Sequence, residues 1–281
     1  MITSPFNRLK VRSLVLMWLF SSILLAIGLG VVGLSPSNPL FTAIVYILLM
    51  VTLCFWVLQR CKRLEINIKQ IVGQFPARVN WLRIIGLVFA VLVFSIGSAL
   101  IFFSALSYVA PTFVESALDR KSLPVEATAP LLQNALLFLC MVVVAPLTEE
   151  FIFRGIILHR WSQKWGIKTA LIASSILFGF LHANVIGASM FGLIMALLYL
   201  KTRTLLVPIA CHALNNLVVF STMIQRSAPS TNSLENIRSI GWFGIILLVL
   251  SLPFLLRFIR KNFPNKQALM PYAQNSETHL A

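Results

Sequence analysis

The chain has 281 residues, of which 58% are hydrophobic and only 11% are charged. An average soluble domain carries about 25% charged residues, so this composition excludes an ordinary soluble domain and an intrinsically disordered chain. The net charge of +15 comes from 23 Lys and Arg residues against 8 Asp and Glu residues. In a membrane protein such an excess belongs to the cytoplasmic loops, so its distribution along the chain decides what it means.

Long apolar stretches follow one another along most of the chain. A helix needs about 20 apolar residues to cross about 30 Å of hydrocarbon. We therefore predict an all-α fold, a polytopic membrane bundle of about eight transmembrane helices, in which the first apolar stretch stays as an anchor. The predicted spans are 13–34, 40–58, 84–105, 130–158, 169–186, 187–200, 204–224 and 239–258. The stretch 169–200 divides only at Gly187, so counts of seven or nine spans stay open.

The spans group into three sections along the chain. Residues 1–129 hold the N-terminal transmembrane helices, and 130–224 hold the core helices that carry the intramembrane polar residues. Residues 225–281 hold the last transmembrane helix and a tail. The tail after Lys261 is short and contains two prolines, so we predict a solvated end.

Basic residues lie almost entirely on one side of the predicted bundle. With eight spans, 19 of the 23 Lys and Arg residues share the side of the N-terminus. The remaining four are Arg120, Lys121, Arg226 and Arg238. This asymmetry is the positive-inside pattern, so we expect a multi-pass protein of the plasma (inner) membrane with both termini cytoplasmic. The net charge then reflects topology, and we expect membrane lipid and no nucleic acid as a partner.

Three charges interrupt the apolar sequence of the fourth span. A charge at the middle of the membrane costs about 2.5–3.5 kcal/mol on insertion scales, so Glu149, Glu150 and Arg154 require an explanation. Glu150 and Arg154 are four residues apart and can pair on one helix face, which leaves Glu149 unneutralised about 100° away. The alternative is a juxtamembrane helix whose carboxylates contact water. The apolar residues that surround the charges on all sides leave no polar face for it.

Two histidine motifs follow in later spans. Ser175, Gly179 and His182 form a stripe of small residues leading to one imidazole, which indicates a close contact with another helix. His212 and Asn216 are four residues apart and share a helix face. Each motif alone is compatible with hydrogen bonding between helices. Together with the carboxylates and the arginine, they supply the base, proton shuttle and oxyanion donors of a hydrolase.

These three elements resemble the signature of the CAAX prenyl endopeptidase and bacteriocin-processing (CPBP, Abi) family of intramembrane proteases. The matching motifs are Glu149-Glu150-x-x-x-Arg154, Phe178-x-x-x-His182 and His212-x-x-x-Asn216, in that order. The resemblance covers about residues 130–220. It implies an endopeptidase that hydrolyses a peptide bond of a membrane-associated peptide or protein, prenylated in some relatives.

The resemblance also implies a division of roles within the site. Glu149 and His182 would activate a water for attack on the peptide carbonyl. His212 and Asn216 would hydrogen-bond the developing oxyanion. The ion pair of Glu150 and Arg154 would hold the shape of the site.

The sequence leaves the cofactor and the functional class open. Glu149, His182 and His212 could supply three ligands to Zn²⁺, with water at the fourth position. The chain has no His-Glu-x-x-His helix, and family members have been described both as metalloproteases and as glutamate proteases. We favour the metal-free mechanism. The alternatives are a non-catalytic immunity or scaffold protein and a proton-coupled carrier, since buried acids and histidines also form proton relays.

Overall fold

The computed structural model describes residues 4–31, 39–119, 130–225 and 234–278. In these ranges the chain forms helices and connecting segments and contains no β-strand, which confirms the predicted all-α class. A short 3₁₀ turn, Pro5–Arg8, precedes the helices. The helices are α1 (Val11–Val31), α2 (Pro39–Arg63), α3 (Ile68–Val72), α4 (Trp81–Val109), α5 (Pro111–Asp119), α6 (130–165), α7 (Ile167–Phe180), α8 (Val185–Thr202), α9 (Leu206–Gln225), α10 (Leu234–Asn262) and α11 (Pro271–Thr278).

Seven helices in the described ranges are long and apolar enough to cross a membrane, namely α1, α2, α4, α6, α8, α9 and α10. The eighth apolar segment, α7, has 14 residues, which gives a length of about 21 Å. The fifth and sixth predicted spans correspond to α7 and α8, and the break between them lies at 181–184 and not at Gly187. The reason is a cap: the Asn184 side chain accepts a hydrogen bond from the Gly187 amide, which begins α8 two residues earlier than predicted.

The long helices α4 and α10 pack closely against each other. A Cβ atom added at Gly97 would lie 2.8 Å from the Gly244 carbonyl oxygen, so glycine at this crossing lets the two backbones approach. Arg238, near the start of α10, donates to the Ser107 carbonyl near the end of α4 at 2.6 Å, so the helices are antiparallel. Arg120, Lys121 and Arg226 lie outside the described residues. The cytoplasmic location of the termini stays a prediction.

The core lies where α8 passes between its neighbours, whereas α1 lies at the periphery. Ile194, Met195 and Leu197 in α8 are fully buried. In α1 only Leu14 and Ser21 are buried, and most of its large apolar side chains face outward. The polar motifs lie on α6 and α9 and at the end of α7, next to the buried helix α8.

The prediction of a solvated tail was wrong. Residues 263–278 fold back, and α11 docks on α3 and on the link between α8 and α9. Asn275 Nδ2 donates to the carbonyl oxygens of Gln70 at 2.8 Å and Arg203 at 2.9 Å, and the Tyr272 hydroxyl accepts from the Asn67 amide at 3.2 Å. A polar, proline-containing segment carries no signal of such docking, because its partners are about 70 and 200 residues away in the chain.

Candidate active site

Helix α6 changes its winding on both sides of the two adjacent glutamates. The turn Ala145–Glu150 is α-helical, and the segments Leu139–Val144 and Phe151–Leu158 are π-helical. π-helical turns are rare in proteins, and many of the known examples lie at functional sites. The apolar residues of these segments fit either winding, so the sequence could not reveal the change.

Glu150 is the centre of a buried charge cluster. Its side chain is fully buried, and its Oε1 atom lies 2.9 Å from Arg154 Nη1 and 2.8 Å from His212 Nδ1. Arg154 Nη2 also donates to the Gly192 carbonyl oxygen in α8 at 3.0 Å. The predicted pair of Glu150 and Arg154 is therefore present, and with His212 it joins α6, α8 and α9.

Aromatic rings enclose this cluster. The Arg154 guanidinium lies 4.7 Å from the centroid of the Phe178 ring, a cation–π contact. Phe191 packs edge-on against the His212 ring at a centroid distance of 4.8 Å. Because both phenylalanines are buried, the rings shield the charges of the cluster from solvent and lipid.

Glu149 faces a different set of residues. Its Oε1 atom accepts a hydrogen bond from the Tyr46 hydroxyl in α2 at 2.6 Å. Its Oε2 atom lies 4.0 Å from His182 Nε2 and is buried without a hydrogen-bond partner among the described residues. Tyr46 was not predicted from the sequence, since an isolated tyrosine in an apolar helix carries no motif.

His182 occupies the turn 181–184 at the end of α7, although the sequence predicted it inside a span. Its Nδ1 atom lies 2.7 Å from the Phe178 carbonyl oxygen. A carbonyl only accepts, so Nδ1 carries a proton and Nε2 is the atom presented to Glu149. Asn184 fixes the turn by donating to the Ser95 carbonyl oxygen in α4 at 2.7 Å.

The stripe of small residues packs against protein, as predicted. A Cβ atom added at Gly179 would overlap the Ser189 hydroxyl and lie 2.6 Å from the Val185 carbonyl oxygen. Across the same contact, a Cβ at Gly192 would lie 3.2 Å from the Ser175 Cα. The close approach of α7 and α8 places His182 beside α6.

Asn216, in α9, is the last of the six predicted site residues. Its Nδ2 atom donates to the Met141 carbonyl oxygen in α6 at 2.8 Å, and its Oδ1 atom accepts from Asn215 at 3.1 Å. His212 lies one turn earlier on the same helix and contacts Glu150. The structure thus brings the six predicted residues to α6 in three places: an open edge with Glu149 and His182, a closed cluster with Glu150, Arg154 and His212, and Asn216 beside Met141.

Glu149, His182 and His212 do not form the zinc site that the sequence allows. In the part of the chain that the structure describes, no three His, Cys, Asp or Glu side chains form a group that could hold a metal ion. The His212 imidazole is turned through Nδ1 towards Glu150, whereas His182 faces Glu149. The two histidines therefore face different carboxylates and do not converge on one ion.

Comparison with known proteins gives two matches to this region. Residues 131–218 match the model of the type II CAAX prenyl endopeptidase Rce1-like family, and this range contains the six predicted residues. The chain is also 31% identical over 122 residues to a Bacillus subtilis (strain 168) protein named "Putative membrane peptidase YdiL", covering 42% of this chain and 49% of that protein. The chain thus spans about half the length of this curated relative.

No solved structure matches the chain. The matches confirm the family resemblance, and with the seven apolar helices they identify an integral, multi-pass membrane protein.

Proposed function

We propose that the chain is an intramembrane endopeptidase, because residues 131–218 match the model of the Rce1-like CAAX prenyl endopeptidase family. The observation that carries the proposal is the pairing of Glu149 and His182 at the open edge of the cluster. Their facing atoms are 4.0 Å apart, a separation at which one water can hydrogen-bond both at about 2.8 Å. A carboxylate and an imidazole that hold one water are the groups needed for general-base hydrolysis.

In the proposed reaction, Glu149 accepts a proton from this water as the oxygen attacks the peptide carbonyl carbon. His182 accepts the second hydrogen bond of the water and orients it. The C–N bond of the tetrahedral intermediate then breaks, and the proton held by Glu149 passes to the leaving amine. No other reactant is required, since water supplies both the new C–O bond and the proton.

His212 and Asn216 are the proposed oxyanion donors. Asn216 Nδ2 has two N–H groups, of which one is used by Met141. When it carries both ring protons, His212 donates through Nδ1 to Glu150 and presents Nε2–H to the oxyanion. Arg154 holds the Glu150 carboxylate in place beside the His212 ring.

We propose that the substrate is a membrane-associated peptide or protein cut near the cytoplasmic leaflet. The family name supports a prenylated, CAAX-type substrate. A reporter peptide with a prenylated cysteine, compared with the same peptide without the lipid, tests this point in reconstituted vesicles. Preferred cleavage of the lipid-free peptide would contradict the prenyl specificity and leave the hydrolytic activity in place.

The decisive experiment is Glu149→Gln, which keeps the shape of the side chain and removes the base. We expect the rate of peptide cleavage in vesicles to fall by about 10²–10⁴-fold, because general-base catalysis contributes about that factor. Glu115→Gln, the same change on an exposed position of α5, is the matched control and should leave the rate unchanged. Undiminished cleavage by Glu149→Gln would refute the proposed function.

Two further measurements separate the proposal from its alternatives. Cleavage should survive treatment with phenanthroline, because the proposed base is a carboxylate without a metal. Loss of cleavage on chelation, with recovery on adding Zn²⁺, would overturn this mechanism. Ion flux in sealed liposomes without any cleavage product would instead favour a proton-coupled carrier.

A further inference from the structure

A tyrosine outside the matched region contacts the proposed base directly. Tyr46 lies in α2, 103 residues before Glu149, and its hydroxyl is 2.6 Å from Glu149 Oε1. O–H···O bonds to ionised oxygens have lengths of about 2.5–2.7 Å, so the contact is that of a hydroxyl donating to a carboxylate. The matched range begins at residue 131, so this contact extends the site beyond the family region.

The hydrogen bond decides which oxygen of Glu149 is presented to His182. A glutamate side chain has three rotatable bonds, and its two carboxylate oxygens are chemically equivalent until one is held. With Oε1 held by Tyr46, Oε2 faces His182 at 4.0 Å and is hydrogen-bonded to no other described residue. The anchored geometry is thus the one that the proposed water activation requires.

The tyrosine hydroxyl is not needed to pack α2 against the bundle. Ala43, Leu49 and Leu53 of the same helix are buried and supply apolar contacts in that region. Tyr46 itself keeps a minor part of its surface exposed. Removal of the hydroxyl with retention of the ring should therefore change the orientation of the carboxylate far more than the stability of the fold.

We propose that Tyr46 is a positioning residue that holds the Glu149 carboxylate with one oxygen directed at His182. This inference rests on the proposed function and deepens it. It makes α2, a helix without a site motif, part of the working site.

The test is Tyr46→Phe, assayed for peptide cleavage in vesicles with kcat and KM measured separately. We expect kcat to fall about 10- to 100-fold, because a misplaced catalytic group costs up to about that factor, with KM within about twofold of the original. Tyr199→Phe is the matched control, since the Tyr199 hydroxyl also makes one hydrogen bond, to the Ile71 carbonyl oxygen at 2.8 Å, away from the site. The control should lower the melting temperature in detergent and leave kcat unchanged. An unchanged kcat for Tyr46→Phe, or an equal loss for Tyr199→Phe, would overturn the proposal.

A second measurement does not depend on proteolysis. A double-mutant cycle with Tyr46→Phe and Glu149→Ala, read as thermal stability, isolates the interaction between the two side chains. Non-additive changes support the hydrogen bond, and additive changes overturn it. If Glu149→Gln still cleaves the reporter, the proposed function fails while this cycle continues to report on the Tyr46 contact, so the two failures are distinguishable.

Discussion

Two adjacent carboxylates in one helix lie in opposite surroundings. Glu150 is fully buried and shares one oxygen between Arg154 and His212. Glu149 keeps 15% of its side chain exposed and faces His182, whose side chain is 39% exposed. Successive side chains on a helix point about 100° apart, so one carboxylate turns into the closed cluster and the other to the open edge. The same residue type can thus hold the frame in one position and carry chemistry in the next.

The closed cluster and the open edge also differ in the interactions that hold their side chains in place. The closed cluster depends on compensated charge inside the bundle, where an unpaired partner is costly. The open edge depends on neighbouring elements that place single side chains: α2 brings Tyr46, and the tight contact of α7 with α8 brings His182. Mutation of Glu150 or Arg154 in the closed cluster should therefore lower mainly stability, whereas mutation at the open edge, or of the proposed oxyanion donor His212, should lower activity.

The largest stability effect is expected at the closed cluster. Arg154→Met removes the cation and leaves the Glu150 carboxylate buried beside only a histidine, so the free energy of unfolding in detergent should fall by about 3–5 kcal/mol. Arg78→Met, an exposed position in the link before α4, is the control and should change it little. Similar values for the two variants would show that the cluster is not a structural frame.

A smaller effect is expected where the open edge is positioned. In Gly179→Ala the new methyl group would meet Ser189 and the Val185 carbonyl, so α7 and α8 must separate. Overpacking of this kind costs about 1–3 kcal/mol, and the shift of His182 should lower the cleavage rate as well. Gly86→Ala introduces the same methyl group where no atom lies within 4 Å. Its activity and melting temperature should match those of the original chain, and full activity of Gly179→Ala would contradict the role given to this contact.

The smallest effect is expected at the docked tail, which approaches the closed cluster from its far end. The Tyr272 amide donates to His159 Nε2 at 3.4 Å, and His159 Nδ1 lies 3.0 Å from the Arg154 carbonyl oxygen. Asn275→Ala removes two hydrogen bonds that hold α11, so we expect a loss of about 1 kcal/mol confined to the tail.

Amide hydrogen exchange reports this loss as faster exchange within Pro271–Thr278, with unchanged cleavage of the reporter. Gln267→Ala, an exposed position in the preceding turn, is the control. Exchange that increases equally throughout the bundle would show that the tail stabilises the whole fold.

Most of the membrane-spanning helices were predictable, because the length of an apolar stretch is a local property of the sequence. The stretches that became α4, α6, α9 and α10 were each recognised from their apolar residues, although α6 continues to Trp165, seven residues beyond its predicted end. The pairing of Glu150 with Arg154 was also predictable, since a spacing of four places both side chains on one face. The break at 181–184 was missed, because a cap by Asn184 outweighed the helix-breaking tendency of Gly187.

The sequence by itself determined that this chain is a helical membrane protein and which polar side chains its apolar helices must accommodate, because hydrocarbon rejects charges without partners. Only the tertiary structure decided how those side chains are shared. It turned His212 towards Glu150, brought Tyr46 to Glu149 across 103 residues and docked α11 on α3. These contacts join residues far apart in the chain, and they form only when whole helices have packed together, so no local pattern specifies them.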